Sequence, residues 1–170
     1  MLKQGKRIRE LALKLNSNNN KIISEAIKSL RNVKPFYGAI GLLASKYDKT
    51  EDPLVRRLIK SFMNDLKDPA VTKEVIAEMK NMYKDDTISM LVSSCWQSGL
   101  DYSDYSMDLA LVFFNGSYVT ALECLTVMEE SIPYMNRLMK DQIIKLIENN
   151  TDTEITDKTS LKRELISLLK

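Results

Sequence analysis

The sequence contains no histidine. That removes His-based acid–base chemistry, Ser-His and Cys-His nucleophile pairs, and the usual zinc ligands. Only two cysteines are present, Cys95 and Cys124. Two cannot build a structural zinc site, and both fall in apolar helical patterns, so buried free thiols are expected. Five glycines and four prolines in 170 residues leave few tight turns and disfavour a many-stranded β fold. Neither G-x-x-x-x-G-K-[ST] nor G-x-G-x-x-G occurs, so neither phosphate-cradling glycine motif is present. No apolar run reaches the roughly 18 residues of a membrane span. The opening MLKQGKRIRELALKLN alternates charge with apolar residues, unlike the continuous apolar core of a secretory signal. A cytoplasmic location is expected, with no cofactor, no metal and no membrane partner.

What the sequence does have is helical periodicity almost throughout. Ile22, Ile23, Ala26, Ile27 and Leu30 fall on one stripe, as do Leu54, Val55, Leu58, Ile59, Phe62 and Met63. Turn residues cut the pattern into about ten short helices, near 4–15, 20–32, 35–47, 53–67, 69–83, 86–98, 104–115, 117–131, 134–149 and 158–169. Pro35, Pro53, Pro69 and Pro133 are placed where a first helical turn tolerates a missing N–H. Asp52 and Asp68 precede two of them as N-caps. Gly99 and Gly116 suit left-handed positions just past helix ends. The polar stretch 149–157 reads as the longest loop.

The helices pair with a spacing of mostly 30 to 35 residues, the range of helical-hairpin repeats. Four second helices align without gaps: AIKSL (26–30), LIKSF (58–62), LVSSC (91–95) and ALECL (121–125). An apolar residue stands three positions before each, at Ile23, Val55, Ile88 and Tyr118. The fourth column, Ser29, Ser61, Ser94 and Cys124, is small and is expected to let neighbouring helices approach closely. ELISLL (164–169) reads as a fifth, degenerate copy.

Asp52-Pro53-Leu54-Val55-Arg56 resembles the start of the second helix in a HEAT repeat, which commonly has Asp in the turn, then Val, then Arg or Lys. The other units place Ser24, Ser89 and Val119 near the arginine column. The resemblance implies an all-α, armadillo-type α–α superhelix: a single solenoid domain of about five HEAT-like hairpins. Its units are approximately 1–34, 35–68, 69–103, 104–133 and 134–170. It also implies a concave surface lined by second helices, and a non-catalytic protein-binding scaffold or adaptor rather than an enzyme. Less often, such proteins bind nucleic acid, including in DNA repair.

Charge is segregated along the chain. Residues 1–84 hold 18 Lys and Arg against 9 Asp and Glu, whereas residues 85–170 hold 7 against 14. No Lys or Arg occurs in the 52 residues between Lys84 and Arg137. The polarity fits an acidic half that meets a basic protein segment; the plain alternative is a solvated face whose charge changed sign along the chain. Salt-sensitive head-to-tail self-association is another reading of the same polarity.

Two residue sets follow. CWQSGLDYSDY (95–105) gathers aromatics beside carboxylates, and Trp96, Asp101, Tyr102, Asp104, Tyr105 and Asp108 form the candidate partner-binding set, since Trp and Tyr give large contact area at low entropy cost. The plain alternative is packing by Trp96 and capping of the next helix by Ser103 or Asp104. Lys28, Arg31, Arg56, Arg57 and Lys60 form the alternative, a phosphate-facing patch for nucleic acid. Asp104 and Asp108 share a helix face, a spacing read as solvated surface rather than a catalytic pair.

Overall fold

The computed structural model describes residues 2–150 and 157–170. Among them are ten α-helices and no strand: α1 (Leu2–Leu15), α2 (Asn20–Ser29), α3 (Ala39–Lys49), α4 (Pro53–Asn64), α5 (Thr72–Glu78), α6 (Asp85–Ser98), α7 (Ser106–Asn115), α8 (Tyr118–Ser131), α9 (Arg137–Asn149) and α10 (Thr159–Leu169). Residues 151–156 of the expected loop lie outside the described residues.

Helix starts follow the capping chemistry. Asn19 accepts from the Lys21 N–H, Asp52 from Leu54 and Val55, Ser117 from Thr120, and Asn136 from Met139. Each satisfies an amide the first turn leaves without an intrahelical partner. Pro53 occupies the first turn of α4, and Asp68 with Pro69 starts a 3-10 turn leading into α5.

Four expectations need correcting. Pro35 does not start a helix: α3 begins at Ala39, because Gly38 turns the chain with φ 96° just before it. Pro133 lies in a 3-10 turn, Ile132–Tyr134, that follows α8, and α9 starts behind Asn136 instead. Gly116 ends α7 in an extended conformation, φ −81°, not a left-handed one; Gly99 does take the left-handed role, at φ 67°. The small column is split. Ser94 and Cys124 are fully buried, but Ser29 and Ser61 are exposed. On α4 the buried stripe is Val55, Ile59 and Met63. That turns position 61 to the rim, where Ser61 accepts from Arg31 at 2.9 Å.

The chain forms two compact units, Met1–Leu100 and Asp101–Lys170. In the first, α1, α3 and α5 pack in succession, and α2, α4 and α6 form a parallel succession. The core contains Ile27, Leu43, Val55, Ile59, Met63 and Leu91. In the second, α7 packs on α9 and α8 on α10, with Leu109, Phe113, Met128, Ile143, Ile147 and Leu165 inside. Each such side chain stabilises by about 1.5–3 kcal/mol on full burial. Cys95 and Cys124 are buried, one in each unit, and neither forms a disulfide. Among the described residues no helix is long and apolar enough to cross a membrane.

Candidate interaction surfaces

Polar ties between residues 32 to 39 positions apart join the helices of the first unit. Asn20 donates to Asp52 at 2.6 Å, 32 residues on. Arg31 pairs with Asp65 at 2.5 Å, 34 residues on, and its guanidinium lies 6.0 Å from the Phe62 ring centroid. Asp48 accepts from the Lys84 N–H and the Thr87 hydroxyl, both at 2.8 Å.

Arg56 is the most engaged of these residues. It donates to the Tyr47 and Thr50 carbonyls at 3.0 and 3.3 Å, covers the Tyr47 ring, and pairs with Asp86 on α6. Burial and the Asp86 carboxylate raise the Tyr47 pKa, against the lowering effect of Arg56.

The five residues of the phosphate-facing set therefore divide. Arg31 and Arg56 spend their guanidinium groups on carboxylates and carbonyls of the same chain. Lys28 on α2 and Arg57 and Lys60 on α4 remain exposed.

The partner-binding set divides as well. Trp96 is half-buried on α6 in the first unit, while the other five residues belong to the second. Tyr102 is 1% exposed and contributes to the core of that unit rather than offering its ring. Asp101 is exposed and accepts from the Ser103 N–H at 2.8 Å, an Asx turn leading into the 3-10 turn Ser103–Tyr105. Asp104 is exposed; Tyr105 and Asp108 are half-buried.

Three charged groups that complete helix ends escaped sequence reasoning: Glu74, Lys158 and Lys162. Glu74 of α5 turns its carboxylate onto the start of α3, accepting from the Gly38 and Gly41 N–H groups at 2.9 and 3.1 Å. It is a cap supplied from one hairpin to the previous one. Burial raises its pKa, although these backbone bonds and the positive end of the helix favour the carboxylate. One turn on, Glu78 accepts from Asn81 at 2.7 Å and from the Tyr83 hydroxyl at 2.8 Å. Burial and the Glu78 carboxylate push Tyr83 up to about 12. In the second unit the Lys158 ammonium donates to the Phe114 and Gly116 carbonyls at 2.7 and 2.9 Å and to Phe113 at 3.4 Å, closing the end of α7. Lys162 does the same for Asn150 at 3.1 Å, past α9. A cation at a helix C-terminus faces the negative end of the dipole. No local motif marks the roles of Glu74 and Lys158, because their partners lie 33 to 45 residues away.

Two surface features combine apolar and charged side chains. On α8, Tyr118, Val119 and Leu122 are exposed on one helical face, and Glu129 and Glu130 continue that face toward the end of the helix. Between α2 and α4, an open groove of about 390 Å³ is lined by Leu30, Val33, Phe62 and Leu66, with Arg31 and Asp65 on its wall.

No family model, no curated protein and no solved structure matches this chain.

Proposed function

We propose that the chain is a non-catalytic protein-binding scaffold, a short α-solenoid of HEAT-like hairpins that takes a basic, partly apolar protein segment on its acidic half. One observation carries this reading: exposed Tyr118, Val119 and Leu122 share the α8 face with Glu129 and Glu130, in a stretch without a single Lys or Arg from 85 to 136. Exposed apolar side chains supply the attraction on burial, and the carboxylates select a cationic rim. Asp101, Asp104, Tyr105 and Asp108 extend the acidic surface of the same unit.

The test is recovery of partners from cell extract with the wild-type chain and with Leu122→Lys/Glu130→Lys. The reading expects a basic protein retained by the wild type and lost from the variant. Equal recovery by both would remove the α8 face from it.

A second reading, nucleic-acid binding, draws on exposed Lys28, Arg57 and Lys60 on adjacent helices. It loses Arg31 and Arg56, whose charges are already paired. Binding to duplex DNA that falls steeply with salt and is weakened by Arg57→Ala/Lys60→Ala would favour it.

A further inference from the structure

The charge and apolar pattern that fits the α8 face is present elsewhere in the same chain. On α4, Leu54 is 48% exposed, with Arg57 and Lys60 on the same helical face. On the neighbouring α2, Ile22 is 41% exposed and Lys28 follows it. Ile22 and Leu54 occupy equivalent places in the aligned helices, and the Asn20–Asp52 bond joins the two helix starts beside them. The first unit thus presents two apolar side chains with cations further along. Among the described residues, Glu25 is the one exposed carboxylate on the α2 part of that face.

The α8 face is its counterpart in opposite sign. Tyr118, Val119 and Leu122 are 40, 57 and 44% exposed, and carboxylates follow. The cations at the start of the adjacent α10 do not cancel them, because Lys158 and Lys162 are drawn into backbone carbonyls. Of the exposed α10 charges nearby, Arg163 and Glu164 are one of each sign. The first unit as a whole holds 18 Lys and Arg against 11 Asp and Glu, and the second 7 against 12.

We propose that the α8 face of one copy binds the α2–α4 face of a second copy, joining chains head to tail. The proposal rests on the reading that the α8 face takes a basic, partly apolar protein surface, and it names that surface. Apolar meets apolar and carboxylate meets cation in such a pairing. The contact is heterologous: each copy uses one face of each kind, so association continues beyond a dimer unless the geometry closes a ring. The charged rims make the association salt-dependent.

Two variants test it by analytical ultracentrifugation at low salt. Leu54→Glu/Arg57→Glu spoils the α4 face, and Leu122→Lys/Glu130→Lys spoils the α8 face. All four positions are exposed, and circular dichroism checks that each variant folds. Should either misfold, Ile22→Glu/Lys28→Glu and Val119→Lys/Glu129→Lys replace them. The wild type is expected to gain mass with concentration and to revert toward monomer in high salt. Each variant alone is expected to stay monomeric. Mixed in equal amounts they should form a dimer that grows no further, since one intact face of each kind remains. A monomeric wild type, a variant that associates alone, or a mixture that stays monomeric would each overturn the proposal.

A synthetic amphipathic Lys/Leu helix, titrated onto Leu54→Glu/Arg57→Glu, separates this failure from failure of the underlying reading. If the peptide binds while the two variants do not pair, the second-copy proposal falls and the protein-binding reading stands. If neither interaction occurs, both fall.

Discussion

The guanidinium of Arg56 lies 3.9 Å from the centroid of the Tyr47 ring while donating to the Tyr47 carbonyl at 3.0 Å. One side chain therefore grips a residue through both its face and its backbone. Since Asp86 holds the same guanidinium, α3, α4 and α6 meet at this point. Arg56→Ala leaves the Tyr47 and Thr50 carbonyls short of a donor and is expected to cost about 1–3 kcal/mol. Arg56→Lys should recover less than half, because an ammonium cannot stack flat on the ring and fork to several acceptors. Urea denaturation of the three proteins measures this; an unchanged midpoint for Arg56→Ala would remove the clamp.

Glu74 gives a pH dependence whose sign is opposite to that of an ordinary paired carboxylate. Its folded pKa is raised by burial, so the folded state holds the proton more tightly than the unfolded chain. Its contribution to stability is fully present below the unfolded carboxylate pKa and is lost as pH rises through the raised folded value. Wild-type stability, compared with Glu74→Gln, should therefore fall on going from mildly acidic to neutral pH. The amide that Glu74→Gln introduces still accepts from Gly38 and Gly41. Glu74→Ala cannot, and should be less stable than Glu74→Gln by about 1–3 kcal/mol at any pH. Denaturant melts across the pH range decide it, and parallel curves for the wild type and Glu74→Gln would contradict it.

Gly41 lies inside α3, where Gly→Ala ordinarily gains about 0.5–1 kcal/mol. Here an added Cβ meets the Glu78 Oε1 at 2.7 Å and Cδ at 3.1 Å. Gly41→Ala should be close to neutral in the wild type and stabilising in a Glu78→Ala background. The double-mutant cycle measures the difference; additive effects would contradict the clash.

Lys158 closes the end of α7 through three carbonyls. Lys158→Met keeps the apolar stem and removes the donors, so the loss, about 1–3 kcal/mol, isolates the ammonium. Hydrogen exchange should quicken in α7 and α10 and remain unchanged in α1 to α4. A uniform change across the chain would point instead to general destabilisation.

The helices are legible in the sequence because their determinants are local. Asp52 caps the helix that Pro53 starts, and the stripe Val55, Ile59 and Met63 is the buried face of α4. Where the local signal is ambiguous, tertiary contacts decide. Pro35 carries the helix-start signal, but Gly38 and the Glu74 carboxylate set the true beginning of α3. The surfaces are less legible. Arg31 and Arg56 stand in the sequence as free cations, and Tyr102 as a ring beside carboxylates. Whether each arginine is paired within the chain depends on residues 30 to 34 positions away, Asp65 and Asp86. The α8 face is hidden for a related reason. Tyr118 falls in a column whose earlier members, Ile23 and Val55, are core, so it reads as core too.

The ties that complete helix ends run backward along the chain. Glu74 finishes the start of α3, Lys158 the end of α7 and Lys162 the end of α9. During synthesis from the N-terminus, each of these helices emerges before the residue that satisfies it. The second unit therefore waits for its last helix, and a ribosome stalled before residue 158 would display α7 with its terminal carbonyls still bound to water.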